Sequence, residues 1–297
     1  MIESQPAVIP DGAGLVSDLG RRNGLESLSE RPGQRPPGPL GPLSAGMVIT
    51  CEHGGNRLPA RYRHFFQGQQ ATLDSHRGFD PGALLLARDL AAAFAAPLVL
   101  STVSRLLVDL NRSIGHPRLH SETLRKESAE LRQEIVKRYY QPHRAHTEDL
   151  IRQAVAAHGR VLHVSAHSFT PELDGKRRNA DIGLLYDPSR PGEAALCQRW
   201  KASLQSCATG RTDLTNLTIR RNYPYNGKDD GLTSWFRRRL AADVYVGIEV
   251  EINQKHAFRG GRHWPALRAA IVEALRQALV ADDDVLEAQD LSRLRRS

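Results

Sequence analysis

The chain has 297 residues, of which 40% are hydrophobic and 25% are charged, and its formal net charge is +8 at pH 7. These values are ordinary for a globular protein, and the basic residues are scattered among few aromatic ones, so we expect no nucleic-acid partner. No apolar run approaches the roughly 20 residues of a membrane helix, and the amino terminus lacks a signal-peptide pattern. We therefore expect a cytoplasmic protein without a membrane partner, whose positive charge favours small anionic substrates.

The composition changes along the chain and divides it into three parts. Residues 1–45 contain much of the proline and glycine and show no sustained apolar period, so they cannot bury enough apolar surface to form a core. We predict a disordered tail over residues 1–45, one folded domain over residues 46–282, and a polar carboxy-terminal extension over residues 283–297. The three cysteines are too few and too irregularly spaced to indicate a disulfide framework.

Apolar runs bounded by turn residues predict the strands, and longer alanine-rich, leucine-rich or charged stretches predict the helices. The predicted strands cover residues 48–51, 98–103, 161–164, 214–220 and 244–252. The predicted helices cover residues 82–95, 193–206, 233–240 and 264–280, with one or two more over residues 121–157, broken near Pro142. Strands that alternate with helices indicate an α/β protein whose sheet carries helices on both faces.

Local residue preferences add detail to three of these elements. Asp80 followed by Pro81 is typical of a helix start, with aspartate as the N-cap and proline at the first helical position. Gly159 is placed to end the helical stretch that precedes it. The apolar residues 106–110 and the Asn111-Arg112 pair after them are predicted to continue the second strand or to pair with it.

Three of the predicted buried strands lead into polar side chains that could perform chemistry. The first is followed by Glu52 and His53, the strand at 161–164 is followed by His167, and the strand at 244–252 contains Glu249 and Glu251. The carboxyl ends of strands in an open α/β sheet are where ligands bind. Two histidines and a carboxylate that converge on one sheet edge predict a metal-dependent hydrolase.

A catalytic zinc site takes three protein ligands from histidine, aspartate and glutamate and leaves one position for water. His53 and His167 are the predicted histidine ligands. The third ligand is Asp80, Glu52 or Asn56, and the sequence leaves this choice open because Asp80 is equally suited to be a helix cap. No compact metal motif of the His-Glu-x-x-His type is present.

Glu249 and Glu251 are two residues apart on one predicted strand and therefore point to the same face. Two carboxylates on a buried strand are costly unless they are paired or functional. One of them is suited to be the general base that takes a proton from a water activated by the metal. The alternative is a structural carboxylate paired with arginine.

Asn111 and Arg112 follow an apolar run, and an arginine at that place can hold a substrate carboxylate through two parallel hydrogen bonds. A surface salt bridge is an equally good interpretation of Arg112 from the sequence alone.

Four motifs taken together resemble the N-formylglutamate amidohydrolase family. They are residues 50–56 (Thr-Cys-Glu-His-Gly-Gly-Asn), 104–112 (Ser-Arg-Leu-Leu-Val-Asp-Leu-Asn-Arg), 166–169 (Ala-His-Ser-Phe) and 250–253 (Val-Glu-Ile-Asn). The resemblance spans residues 47–264 and so makes the folded domain the catalytic one. The family looks related to zinc carboxypeptidases and aspartoacylases, which implies a three-layer α/β/α sandwich around a mixed, mostly parallel sheet.

The same resemblance implies roles for individual residues. His53 and His167 match the ligands of Zn²⁺ or another divalent metal, and Glu251 matches the catalytic glutamate. Asn111 and Arg112 match a pair that holds the substrate carboxylate. We further expect Arg105 to help to stabilise the oxyanion and Glu249 to orient the substrate.

The sequence departs from the related proteins at three positions. Asn56 stands three residues after His53, where carboxypeptidases and aspartoacylases have a glutamate ligand. Glu52 replaces the usual proline of the family, and Ser165 replaces an aspartate. We predict an amidohydrolase that acts on a small N-acyl amino acid or a related carboxylate-bearing amide. The alternative is an inactive binding or regulatory protein that retains the fold.

Overall fold

The structure is a computed structural model that describes residues 7–8, 46–208, 214 and 216–294; for residues 7–8 and 281–294 it describes the backbone alone. The predicted tail over residues 1–45 lies outside the described residues, apart from a two-residue strand at Ala7–Val8. The strands of the described chain are β1 (Ala7–Val8), β2 (Met47–Cys51), β3 (Leu98–Leu100), β4 (Val161–Phe169), β5 (Glu172–Leu173), β6 (Lys176–Arg177), β7 (Ile182–Leu185), β8 (Ile219–Arg221) and β9 (Tyr245–Asn253).

Seven of these strands form one mixed sheet in the order β1-β3-β2-β4-β9-β7-β8, and β5 pairs with β6 as a separate antiparallel hairpin. Neighbouring strands from β1 to β9 in this order run parallel. Strand β7 runs antiparallel to β9 and parallel to β8. The predicted mixed, mostly parallel sheet is confirmed. Because β2, β4 and β9 are adjacent and parallel, the polar residues that the sequence places on these strands come to one edge.

The helices cover the sheet on both sides. The α-helices are α1 (Gln70–Leu73), α2 (Ala83–Ala93), α3 (Glu122–Arg125), α4 (Ala129–Ile135), α5 (Gln141–His158), α6 (Pro191–Ala208), α7 (Leu232–Arg237), α8 (Gln254–Arg259) and α9 (His263–Leu294). A 3₁₀ helix covers Ala60–Phe66, and a π-helical turn at Val136–Tyr140 joins α4 to α5. Within the part of the chain that the structure describes, no helix combines the length and apolarity needed to cross a membrane.

The two faces of the sheet differ because side chains alternate along each strand. One face carries apolar side chains such as Val164, Ala166 and Val250, which pack with α2, α6 and α9 into the largest buried cluster. On the opposite face, a smaller apolar cluster that includes Phe236 and Tyr245 packs under α5 and α7. Beyond that cluster, towards the carboxyl ends of the strands, the same face becomes polar. The three-layer α/β/α prediction is therefore confirmed, and the site lies on the partly polar face.

The predicted start of the first long helix was wrong. Helix α2 begins at Ala83, and its N-cap is Gly82, whose φ of 89° lies in the left-handed region that favours glycine. Asp80 therefore lies outside the helix, and its carboxylate is free to contact other groups.

The prediction of a strand over residues 106–112 was also wrong, because these residues form successive turns. Their polar groups bond within the loop region: the backbone N–H of Asp109 donates to the carbonyl of Leu119, and that of Leu107 to Ser104. A loop rather than a strand thus places Asp109 and the residues after it beside the sheet edge.

The expected break near Pro142 takes the form of the π-helical turn at Val136–Tyr140, which directly precedes the first turn of α5 where the proline lies. A second interruption falls between α3 and α4. Gly159 ends α5 in the left-handed conformation, as predicted. Helix α9 continues to Leu294, beyond the predicted end at residue 280.

Candidate metal centre and active site

The residues that the sequence places at strand ends come together at one edge of the sheet. His53 follows β2, His167 lies near the end of β4, and Glu251 is its direct cross-strand partner on β9. Glu249 is likewise paired with Ser165 two residues earlier. Adjacent strands are about 4.8 Å apart, so these side chains share one small region.

Asp80 lies between the two histidines. Its Oδ2 atom is 3.4 Å from Nδ1 of His53 and 2.9 Å from Nδ1 of His167. All three side chains are buried, and the two imidazole rings are 5.1 Å apart between centroids. The loop before α2 therefore supplies an acidic group to the histidines on β4 and after β2.

These three residues fit a metal ion. Each offers one ligand atom, and the three atoms lie within 4.8 Å of one another. Two atoms that bind one tetrahedral Zn²⁺ at about 2.1 Å are about 3.4 Å apart, which is close to the distances from Asp80 to both rings. A set of two imidazoles and one carboxylate is also a common ligand set of catalytic zinc.

The far side of each imidazole is held by a second buried carboxylate. Nε2–H of His53 donates to Oδ1 of Asp109 at 2.7 Å, and Nε2 of His167 lies 3.1 Å from Oε2 of Glu52. The hydroxyl of Ser165 donates to the same Glu52 oxygen at 2.7 Å. Carboxylates in this position fix the ring and its tautomer so that the other nitrogen faces a metal.

The two other candidates for the third ligand have different partners. Glu52 lies behind His167, on the side away from Asp80, and Asn56 donates its amide to Asp74 at 2.7 Å. Of the three residues that the sequence left open, Asp80 alone faces both histidines in the described structure.

Hydrogen bonds and opposite charges together outweigh burial in the pKa values of this cluster. Burial alone would lower the pKa of His167, but its hydrogen bonds to Asp80 and Glu52 raise it well above its ordinary value. Burial would raise the pKa of Asp80, yet His53 and His167 hold it well below its usual range. The carboxylate is thus ionised at neutral pH, as a metal ligand must be.

Asp109 connects His53 to the cavity residues Arg105 and Asn111, a set of contacts that the sequence analysis missed. It accepts from Nε2 of His53, from Nη2 of Arg105 at 2.7 Å, and from the backbone N–H of Asn111 at 3.0 Å. Burial would raise the pKa of Asp109, but the Arg105 and His53 charges hold it well below its usual range. Asp109 lies between Arg105 and Asn111 in the motif at residues 104–112, and this position was the sequence signal that could have identified it.

We expect Asp109→Asn to weaken zinc binding by about 10- to 100-fold, the usual effect of losing an outer carboxylate partner of a ligand histidine. The asparagine keeps the shape but provides one acceptor oxygen for the three groups that donate to the Asp109 carboxylate. A competition titration with a chromophoric chelator measures the Kd. Asp89→Asn, which removes a carboxylate paired with Arg268 on the distant apolar side, is the control. An unchanged Kd for Asp109→Asn would contradict this role.

Glu251 is the unpaired carboxyl group of the site. It is 5% exposed, and its Oε2 atom has no hydrogen-bond partner among the described residues. Burial, with the nearby Asp80 and Glu249 charges, raises its pKa to about 8. Among the described residues, no arginine forms an ion pair with Glu249 or Glu251, so the structural alternative of an arginine-paired carboxylate has no support here.

Glu249 and Asn111 are held in place by the start of α7. The Thr233 hydroxyl donates to Oε1 of Glu249 at 2.5 Å, and the Leu232 backbone N–H donates to Oδ1 of Asn111 at 2.6 Å. The amide nitrogen of Asn111 then lies 3.3 Å from His167. Glu249 thus has a hydrogen-bond partner, whereas Oε2 of Glu251 has none among the described residues.

A cavity of about 680 Å³ is lined by His53, Asp80, His167, Glu249 and Glu251 among other residues. Arg105 lines it and contacts Asp80 at 3.2 Å and Asp109 at 2.7 Å, so its charge is shared between them. Arg112 also lines the cavity, where its Nη1 donates to the Asp230 carbonyl at 2.5 Å. Its closest carboxylate is the buried Asp109 at 4.0 Å, so it is not part of an exposed salt bridge.

Tyr225 is a cavity residue that the sequence analysis did not identify. Its hydroxyl accepts from Nη1 of Arg178 at 3.0 Å, and the guanidinium lies 4.9 Å from its ring centroid. Burial, followed by the charge of Glu251, raises the pKa of Tyr225, so the hydroxyl keeps its proton at neutral pH. Tyr225 lies in a loop rich in turn residues, and nothing in that part of the sequence indicates a cavity residue.

The mixed sheet and the cavity at the carboxyl ends of its strands define an α/β protein whose cavity lies where open α/β sheets bind ligands. Its buried His-Asp-His cluster has room for one metal ion. The chain belongs to the N-formylglutamate amidohydrolase family, whose sequence profile matches residues 45–257. That family supports an amidohydrolase function, and it confirms the resemblance inferred from the four motifs.

Two solved structures are similar to this chain. A gene product of Agrobacterium tumefaciens is 27% identical, with a TM-score of 0.67 over 80% of this chain and 92% of its own. An N-formylglutamate amidohydrolase from Ralstonia eutropha JMP134 is 20% identical, with a TM-score of 0.56 over 82% and 94%, and shows the shared fold. No curated protein sequence matches this chain significantly.

Proposed function

We propose that this protein is a metal-dependent amidohydrolase that cleaves a small N-acyl amino acid or a related amide that carries a carboxylate. The observation that carries the proposal is the meeting of His53, Asp80 and His167 with the unpaired carboxyl group of Glu251 in one cavity. Held by the first three residues, Zn²⁺ or another divalent ion would polarise the amide carbonyl and activate water.

Glu251 is the proposed general base and acid. Its carboxylate takes a proton from the attacking water and delivers it to the departing amine nitrogen. A carboxyl group suits both transfers, because it accepts a proton as the carboxylate and releases it as the acid. Arg105 lines the same cavity, and we propose that its guanidinium helps to stabilise the negative charge that develops on the carbonyl oxygen.

Asn111 and Arg112 are the proposed binding groups for the substrate carboxylate. Both line the cavity, and Arg112 retains donor groups beyond the one that bonds Asp230. Positive side chains in a partly enclosed site attract anionic ligands. Because the similar Ralstonia protein is an N-formylglutamate amidohydrolase, N-formyl amino acids are the first substrates to test.

The proposal is tested by assaying the zinc-loaded protein against N-formyl and N-acetyl amino acids, with release of the free amine as the readout. We expect hydrolysis of at least one carboxylate-bearing amide, loss of activity with a chelator, and recovery when zinc is added back. Full activity in the metal-free protein would exclude metal dependence. Tight binding of these amides without turnover would favour the alternative of an inactive binding protein.

We expect Arg112→Lys to raise KM for an N-formyl amino acid by about tenfold or more while kcat changes little, since lysine cannot make two parallel contacts with a carboxylate. The matched control is the same substrate with its α-carboxylate converted to an amide. For that substrate, the variant and the native enzyme should have similar KM values. An unchanged KM for the carboxylate substrate would assign Arg112 to structure alone.

A further inference from the structure

A second groove adjoins the active-site cavity. It has a volume of about 750 Å³ and lies between the loop that follows Arg112 and the helical segment from α4 to the start of α5. The lining residues that carry the argument are Ile114, His116, His120, Arg125, Arg132 and Lys137.

The groove and the cavity share part of their lining. His116, His120 and Arg125 line both spaces. The ring of His120 is fixed in this shared wall because its Nδ1–H donates to the Leu107 carbonyl at 2.9 Å. The groove therefore lies directly beside the cavity, and an extension of a bound substrate that passes these three residues would reach it.

The charge of the groove differs from that of the cavity. Arg125, Arg132 and Lys137 contribute three positive charges, and among the described lining residues of the groove there is no aspartate or glutamate. The cavity, in contrast, contains several carboxylates. Ile114 is 63% exposed at the groove and adds apolar surface between the cations. An anionic and partly extended ligand complements these walls.

We propose that the groove binds an anionic extension on the amino-acid half of the amide substrate, such as a short chain of acidic residues attached through the side chain. The amino-acid half is the relevant one because Arg112, which we expect to hold its carboxylate, begins the loop that forms the groove wall. This inference rests on the proposed function for the orientation of the substrate. The charge of the groove and the residues that it shares with the cavity do not depend on the proposed function.

The test compares two substrates that share one scissile bond. The first is N-formylglutamate, and the second is N-formylglutamate extended through its side-chain carboxyl by two glutamates, which keeps the α-carboxylate. We expect a KM for the extended substrate at least about fivefold lower, from several weak ion pairs. The difference should shrink in 1 M salt, where charges are screened beyond about 3 Å.

Lys137→Glu is the informative variant because this side chain is exposed and its charge faces the groove. It should raise KM for the extended substrate on the order of tenfold and leave KM for N-formylglutamate unchanged. Lys126→Glu is the matched control: it makes the same charge change at an exposed lysine that lines neither space. Equal effects of the two variants would overturn the proposal.

A binding measurement separates this proposal from the proposed function. Calorimetric titration with the N-acetyl forms of both compounds, made in the metal-free protein, requires no turnover. Suppose that neither substrate is hydrolysed but the extended compound binds more tightly, and that Lys137→Glu removes this difference. The hydrolase function is then wrong, and the groove proposal is supported. If hydrolysis occurs but the extension improves neither KM nor Kd, or no extended compound binds at millimolar concentration, the groove proposal fails.

Discussion

Replacing Glu251 with glutamine is expected to lower kcat by about 10²–10⁴-fold, the usual contribution of a positioned general acid–base group. Glutamine keeps the size and the hydrogen-bonding shape of the side chain but cannot accept the proton of the attacking water. The carboxyl of Glu251 lies across from His167 on the neighbouring strand and carries an unpartnered oxygen. The variant should still bind zinc, because Glu251 is not among the three clustered ligand residues.

Glu249→Gln is the matched control for this change. Glu249 lies on the same strand face but already accepts a hydrogen bond from Thr233, so its loss should reduce kcat much less. The measurement is kcat and metal content for both variants side by side. Equal losses, or a larger loss for Glu249→Gln, would show that the two roles are shared or reversed.

Thermal unfolding distinguishes lost catalysis from lost folding in the Glu251 variant. Because the pKa of Glu251 is raised to about 8 in the folded protein, the unfolded chain releases this proton at a lower pH. The stability of the metal-free native protein should therefore fall as the pH rises from about 4.5 to 8 through this group. Glutamine does not ionise, so Glu251→Gln should have an equal or higher Tm at pH 8.

Removing His167 is expected to abolish metal retention. This ring offers Nδ1 beside Asp80 and is the ligand candidate with the largest number of buried partners, among them Glu52 and Ser165. A site left with His53 and Asp80 has two protein ligands, fewer than the three that catalytic zinc requires. Metal analysis after dialysis should give about one zinc per native chain and none for His167→Ala.

Two further variants make the His167 result interpretable. His167→Ala leaves buried carboxylates without their partner and can destabilise the fold, so His167→Asn provides a polar replacement of intermediate size. His64→Ala removes an exposed histidine that does not line the cavity and should retain full metal. Added zinc should raise the Tm of the native protein but not that of the folded His167→Asn variant. Stoichiometric zinc in either His167 variant would place the site elsewhere.

Several parts of the site could be predicted from the sequence because they follow from strand periodicity. Buried strands of four to nine residues were visible as apolar runs, and parallel strands place their carboxyl ends at one edge. This placed His53, His167 and Glu251 together before any fold was known. The same periodicity put Glu249 and Glu251 on one face, which the sheet register confirms.

The choice of the third clustered residue could not be made from the sequence. Asp80-Pro81 satisfies the local preferences of a helix start, and these preferences act over a few residues. In the folded chain, the helix begins at Ala83, and the Asp80 carboxylate contacts residues 27 and 87 positions away. Local propensity was outweighed by charge pairing with groups brought near by the sheet.

What the sequence by itself determined is the set of elements whose signal is local: the α/β class, the strand ends that carry His53, His167 and Glu251, and the glycine end of α5. What only the tertiary structure decided is which long-range pairs these groups form. Asp109 bridges His53 and Arg105, and Glu52 contacts His167 from the turn that follows the neighbouring strand β2. A carboxylate that is removed from water must find partners, so burial makes such pairing obligatory. This requirement does not depend on how far apart the partners lie along the chain.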